Sequence, residues 1–313
     1  MTTALAIPTS PSSHAARLVA AFLAGRNART MLAYSQDLED FRRFVGADDV
    51  NAAAALLLGR GHGEGNAMAL GYRSSLVDRG LAAATINRRL AALRSLVKLG
   101  RVLGSVPWTL EVQNAKAQPY RDTRGPGRSG FLLLLEQLRG RTDAKGARDR
   151  AILRLLYERA LRCCEVVRLD FEDLDLEQQS ISILGKGRSA KEPVTLAPST
   201  VAAIREWLAI RGSLPGPLFT NLDRAHARQR LSGTGVYDLV RGLGDAVGIR
   251  ARPHGLRHAA ITEALDRGAD VRAVQRFSRH RDLRILLVYD DNRADLGGEV
   301  ARSIAEPEPV VQP

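Results

Sequence analysis

The 313 residues suffice for two domains of ordinary size, and 45% hydrophobic with 26% charged residues is the balance of a globular protein rather than a disordered or membrane-embedded one. Lys and Arg number 46 against 34 acidic residues, a net charge of +12 that divides evenly between the residues up to Leu110 and those after it. Such a spread fits a clamp on a polyanion better than one basic tail would. Two adjacent cysteines, Cys163 and Cys164, exclude a disulfide framework, and the longest apolar runs are far too short to span a membrane.

Residues 1–13, with Pro8 and Pro11 among Ser and Thr and no cationic start, read as a flexible tail rather than a signal peptide, so a cytoplasmic protein is expected. Helical periodicity starts in Thr30–Val45, where Leu38, Phe41 and Val45 share a face. A glycine-rich break is expected at Gly59–Gly65, then a helix over Ala67–Arg79 stopped by Gly80. Thr85 is a candidate N-cap for the next helix, whose apolar stripe is Ile86, Leu90, Leu93 and Val97. Its other faces carry Arg88, Arg89 and Arg94, which either contact DNA or form a solvated face. The stretch 111–130, rich in Gly and Pro, reads as a linker between a helical domain over 14–110 and a second domain over 131–304, with a tail at 305–313.

In the second part, helices are expected at Phe131–Leu138 and Asp149–Leu161. Ser180–Leu184 alternates polar and apolar residues as a strand does, Gly185–Ala190 reads as a turn, and Pro193–Leu196 as the return strand. Helices follow at Thr200–Ile210, Gly235–Val247, His254–Arg267 and Val271–Phe277. The fold class is therefore mainly α: a helical N-terminal domain and an α-rich C-terminal domain with a small antiparallel β-sheet.

Neither a phosphate-binding Gly-x-x-x-x-Gly-Lys loop nor a His-Glu-x-x-His or paired-Cys metal spacing occurs. His254 and His258 stand four apart on one helix but lack an acidic third ligand nearby, so no metal and no cofactor is expected. What remains is a scattered set of cations, histidines and one tyrosine. Tyr157–Leu169 contains Ala-Leu-Arg-Cys-Cys-Glu; the turn reads Gly185-Lys186-Gly187-Arg188; Pro253–His258 reads Pro-His-Gly-Leu-Arg-His; and His280 precedes Tyr289 by nine residues.

These four blocks, in this order and at these separations, resemble the tyrosine recombinase (phage integrase) family with a Xer-like two-domain organisation. The resemblance covers roughly 130–295. Thr30–Tyr34 and Thr85–Leu90 are similar to that family's helical core-binding (SAM-like) domain. It implies an enzyme that cuts and rejoins DNA through a 3′-phosphotyrosine, with Tyr289 as nucleophile. Arg162 and Arg257 would fork onto the non-bridging oxygens, His254 would accept the phenol proton, His280 would hydrogen-bond the phosphate, and Lys186 would protonate the leaving 5′ oxygen. The chemistry demands such groups, because without a metal the doubly anionic phosphorus centre needs fixed cations and donors, and a free Tyr with pKa about 10 is barely ionised at neutral pH. The implied partners are double-stranded DNA with short inverted-repeat sites and three further copies of the chain in a tetramer. Arg88, Arg89, Arg94, Arg188 and Arg279 are candidate DNA contacts.

Bland readings stand beside these. Tyr289 could close a helix, Arg162 could be a C-terminal dipole cation, His258 reads as packing, Glu165 as an arginine orienter or a fold anchor, the two cysteines as small buried side chains, and Lys191 rivals Lys186 as the acid. The family's usual Thr-Gly is replaced by Arg159-Ala160 and its Leu-Gly by Ser278-Arg279, which could alter Arg162, shift His280 or add a phosphate contact. Two other functions compete: type IB topoisomerase-like relaxation, and a non-catalytic DNA-binding accessory role.

Overall fold

The computed structural model describes residues 11–24, 28–116, 125–185, 190–280, 282–283 and 286. Twelve α-helices and one three-stranded sheet are found among them. The chain divides into two compact units, Met1–Pro119 and Tyr120–Pro313, each with its own apolar core.

The first unit packs five helices: α1 (Pro11–Ala24), α2 (Ala28–Val45), α3 (Val50–Gly59), α4 (Gly61–Asp78) and α5 (Ala83–Val102). The α5 stripe is buried as its period requires, with Ile86, Leu90, Leu93 and Val97 all at 2% exposure or less. Two local expectations are corrected. Helix α5 opens at Ala83 with Ala82 as an N-cap that makes no side-chain hydrogen bond, so Thr85 lies inside the first turn. The glycine-rich break over Gly59–Gly65 is narrower than expected: only Arg60 separates α3 from α4, and Gly61, Gly63 and Gly65 are helical. Gly65 is required there by tertiary packing: a Cβ on it would stand 2.6 Å from the Trp108 ring.

The residues after α5 also belong to this core. Val106, Trp108, Leu110, Val112 and Ala115 are buried in it. Two asparagines clip this segment from both sides of the peptide. Asn66 donates to Thr109 O (3.1 Å) and accepts from Glu111 N (2.7 Å); Asn87 donates to Ala115 O (3.1 Å) and accepts from Ala115 N (2.7 Å). Residues 111–116, expected as linker, are thus fastened to the first unit.

The second unit is built around α7 (Ala144–Glu158), whose Ala151, Ile152, Leu153, Leu155 and Leu156 are each at 0% exposure. Arg148 and Asp149 of the same helix are buried as well, paired with each other, so α7 is covered on most of its faces and is central. Its N-cap Asp143 accepts from Gly146 N at 3.0 Å. Around it pack α6 (Gly127–Arg139), α9 (Pro198–Arg211), α10 (Gly233–Ala246) and α11 (Pro253–Asp266), followed by α12 (Val271–Ser278). The expected helix Asp149–Leu161 stops three residues early, because Ala160 turns through a left-handed φ of 48°. The chain then restarts as the short helix α8 (Cys163–Val167).

The sheet is antiparallel in the order β1 (Leu174–Asp175), β2 (Ser180–Leu184), β3 (Lys191–Thr195). Register pairs Ile181 with Val194 and Ser182 with Pro193. Ile181 and Ile183 are buried while Ser180, Ser182 and Leu184 are only half-buried, the alternation expected of a sheet with one face on the core. Pro193 is tolerated because β3 is an edge strand. The expected turn Gly185–Ala190 lies largely outside the described residues.

Candidate active site

Helix α11 starts with Pro253 at its first turn, where a missing N–H is harmless. His254 and Arg257 follow at i and i+3 and so share a face. Gly125 (φ +64°) lets the chain approach the turn between them closely: a Cβ on it would lie 2.0 Å from Gly255 O, and one on Gly255 would lie 3.2 Å from Gly125 Cα. That contact holds the entry to α6 against the first turn of α11.

Arg257 is 1% exposed. Its guanidinium donates to the carbonyls of Ala160 and Ser278 and approaches His280 Nε2 at 3.3 Å. A guanidinium only donates, so Nε2 is the acceptor here. That puts the ring proton on Nδ1, which faces Ser278 Oγ at 3.1 Å, and Ser278 Oγ in turn donates to Gln275 O at 3.3 Å. Gln275 Nε2 closes the loop by donating to His280 O at 3.2 Å.

Arg162 does not end α7 as a dipole-compensating cation; it is the N-cap of α8. Its backbone N–H donates to Glu165 Oε2 (2.8 Å) and its Nη1 to Glu165 Oε1 (2.8 Å), while Nη2 reaches Arg279 O at 3.4 Å. Glu165 is buried and anchors both arginines, since Arg279 Nη2 also donates to its Oε2 at 2.7 Å. Burial works to raise the Glu165 pKa, but Arg279 and Arg162 more than offset it and hold the carboxyl ionised.

The structure therefore brings Arg162, His254, Arg257 and His280 into one cluster. Loss of hydration, then Arg257 and Arg162, lowers the His254 pKa. The same causes, joined by His254 and Arg279, pull His280 down to about 4. Both rings are neutral at neutral pH. Arg159 lies alongside, its Nη1 sharing the Phe277 carbonyl with Arg279 (2.9 and 3.1 Å) and its guanidinium 5.3 Å above the Phe277 ring. Burial first, then Arg279, lowers its pKa to about 10. Among the described residues, Arg162 and Arg279 share the Glu165 carboxylate, Arg257 is held by backbone carbonyls, and Arg159 lies within the fields of Glu192 and Glu165, so four arginines face two carboxylates. Such a surplus of fixed positive charge is a site for an anion.

The low His280 value has a measurable sign. Between about 6.5 and about 4 the unfolded chain binds a proton at this position that the folded chain resists. Stability is fully present above about 6.5 and is expected to fall as pH drops through that window toward about 4, with no further change above it. Urea midpoints at about pH 7 and about pH 5 check this against His280→Asn, which should flatten part of the slope. An identical slope in the two proteins would contradict the assignment.

Other expected site residues fall elsewhere. Lys186, Arg188 and Tyr289 lie outside the described residues. Lys191, the rival acid, is ion-paired with Asp173 and 3.9 Å from Asp170. Arg279 is no surface cation: its side chain is 5% exposed and turned onto Glu165. In the first unit Arg89 donates to Asp40 at 2.7 Å with its side chain only 16% exposed, so its charge is spent joining α5 to α2. Asp40 also accepts from Tyr72 (2.7 Å) and Arg79 (2.8 Å). Arg88 pairs with the buried Asp37 at 2.5 Å but stays 42% exposed, and Arg94 donates to Asn114 at 2.5 Å on the surface. Cys163 and Cys164 are half-buried rather than buried. Arg159 and Ser278 stand out in the sequence only as departures from the family pattern and Gln275 not at all, because each acts through a neighbour's carbonyl or ring. Among the described residues, no three His, Cys, Asp or Glu side chains cluster as metal ligands would, and no helix is long and apolar enough to cross a membrane.

Comparison with known proteins supplies the context for this geometry. The model of the phage integrase family matches residues 133–295. A tyrosine recombinase of Synechococcus elongatus is 44% identical over 289 residues, covering 90% of each chain. One of Synechocystis is 39% identical over 288 residues, covering 90% of this chain and 92% of its own. Among solved structures, the Tn1549 transposon integrase in complex with transposon right-end DNA superposes with a TM-score of 0.66 at 16% identity, covering 93% of this chain and 99% of that one. With a match over half its length and relatives of this identity along most of the rest, the chain belongs to the phage integrase family of tyrosine recombinases, the enzymes that cleave and rejoin DNA in site-specific recombination.

Proposed function

We propose that this recombinase cuts DNA by transesterification, with Tyr289 as nucleophile and a 3′-phosphotyrosyl link as intermediate. The observation that carries the reading is the convergence of Arg162, Arg257, His254 and His280 where positive charge exceeds negative. The Tyr289 phenol oxygen attacks the scissile phosphorus as its proton passes to His254, which is neutral and able to receive it. The bond from phosphorus to the 5′ oxygen breaks, and Lys186 protonates that oxygen. Arg162 and Arg257 meet the charge growing on the non-bridging oxygens. For Arg257 this requires a phosphate oxygen to compete with its present acceptors, since the side chain is buried. His280 meets the same phosphate by releasing its contact with Arg257 and switching tautomer, so that Nε2 carries the ring proton to the phosphate while Nδ1 accepts from the Ser278 hydroxyl.

The phosphotyrosyl bond conserves the energy of the broken phosphodiester, so attack by a 5′ hydroxyl reverses the step without ATP. Exchange between two duplexes then needs four protomers on paired inverted-repeat sites. Arg88, exposed on α5, the half-buried Arg94 on the same helix, and Arg188 are the side chains we assign to the DNA backbone. Phosphate contacts of this kind position a protein without reading sequence.

The polarity of the covalent adduct tests the reading. Adducts trapped by denaturation should carry a free 5′ hydroxyl that polynucleotide kinase labels without phosphatase treatment, and a blocked 3′ end. Adducts with free 3′ ends would overturn it. Adducts scattered without sequence preference, with relaxation of any supercoiled plasmid, would favour a topoisomerase.

A further inference from the structure

Two residues of the site turn through left-handed backbone without being glycine, Ala160 at φ 48° and Arg279 at φ 56°. A long side chain is strained at such a φ, and arginine lacks the short local hydrogen bond by which asparagine tolerates it. At Arg279, the cap of α12, the contacts that offset the strain are those of the side chain. It is 5% exposed, with Nη2 on Glu165 Oε2 at 2.7 Å and on Ala160 O at 3.4 Å, and Nη1 on Phe277 O at 3.1 Å.

These contacts close a ring. Glu165 holds Arg162 through Oε1 and through the Arg162 backbone N–H. Arg279 shares Oε2, and its own carbonyl accepts from Arg162 Nη2 at 3.4 Å. The Ala160 carbonyl that Arg279 reaches is also the acceptor of Arg257. The residue after Arg279 is His280. One side chain therefore spans α8, the turn after α7 and the end of α12, the three places from which Arg162, Arg257 and His280 are held.

We propose that Arg279 is a positioning residue for DNA cleavage: its buried guanidinium fixes the Glu165 carboxylate that holds Arg162, and its anchored backbone fixes the carbonyl on the second Arg162 nitrogen, so that Arg162 is held at a fixed distance from His280. It touches no reacting atom. The inference rests on the cleavage reading above for its effect on rate, but its structural content does not depend on that reading.

The backbone alone cannot supply this role, which makes the test sharp. Glycine and asparagine accept φ 56° more readily than arginine, so if only the turn matters, Arg279→Gly and Arg279→Asn keep or improve everything. If the guanidinium matters, both lose it. Lysine keeps the charge without the fork and should rescue in part.

The first measurement uses the full chain without DNA. Guanidinium NMR resonances of Arg162, assigned through Arg162→Lys, report rotation about its Nε–Cζ bond, which is slow while both terminal nitrogens are held. We expect rotation about tenfold faster in Arg279→Gly and Arg279→Asn and an intermediate rate in Arg279→Lys, with circular dichroism showing each variant folded. The second is single-turnover adduct formation on a duplex carrying the site recovered from wild-type adducts. There we expect a fall of about 10- to 100-fold in the Gly and Asn variants, the scale of a small misplacement near a reacting centre. Unchanged Arg162 rotation in Arg279→Gly and Arg279→Asn would overturn the proposal, as would adduct rates within twofold of wild type. Should the wild type form no adduct, the cleavage reading fails, and the NMR result still decides whether Arg279 holds Arg162.

Discussion

Arg257→Ala is expected to slow covalent adduct formation by about 10²–10³, the effect of deleting one donor aimed at transition-state charge. Two consequences of the substitution have to be separated. Arg257 is buried and donates to the carbonyls of Ala160 and Ser278, so its loss strands the Ser278 carbonyl at about 1–3 kcal/mol and leaves the Ala160 carbonyl only the longer bond from Arg279. It also removes positive charge from where the phosphate is to sit. Arg257→Lys divides these effects. A lysine keeps a charge in the site but cannot satisfy both carbonyls and a phosphate oxygen together, so stability should fall moderately while the rate still drops at least tenfold. Single-turnover rates, measured where circular dichroism shows each variant folded, check the outcome. A rate within a few-fold of wild type would remove Arg257 from the reaction.

Tyr289→Phe should abolish the adduct. The phenol oxygen is the atom that bonds to phosphorus, and no neighbouring hydroxyl inherits a reaction that depends on near-attack placement. Binding should be unchanged, because a single hydroxyl contributes little beside many phosphate contacts. Loss of adduct with retained affinity separates a missing nucleophile from a misfolded protein. Loss of both would assign Tyr289 to the fold instead.

Much of the architecture was legible because it rests on local periodicity. The α5 stripe and the strand Ser180–Leu184 follow from periods of 3.6 and 2 and appear where those periods place them. What escaped was set by distant partners. Gly59–Gly65 looks like one long break, yet only Arg60 interrupts the helices, and Gly65 is there because Trp108, more than forty residues on, needs the space over it. Residues 111–116 look like linker until Asn66 and Asn87 are seen to clip them.

The site divides along the same line. His254 and Arg257 stand three apart on one helix, so their shared face was readable. The fate of each arginine was not. A guanidinium looks the same in sequence whether it awaits a phosphate or meets a carboxylate across the fold. Arg89 meets Asp40 and Arg279 meets Glu165, 49 and 114 residues away in sequence. The two replacements of family glycines were visible as departures. That both positions keep a positive φ, and that the second sends its side chain inward, could be learned only from the backbone.

The central claim, that this chain breaks DNA by joining it to Tyr289, is tested most directly without knowing the target. Wild-type and Tyr289→Phe proteins are each mixed with sheared DNA from the source organism, denatured, and the covalently attached fragments captured and sequenced. The account predicts adducts from the wild type alone, stacked at a short inverted repeat. Equal adducts from both proteins would contradict it, because the bond to DNA would then form through some other atom.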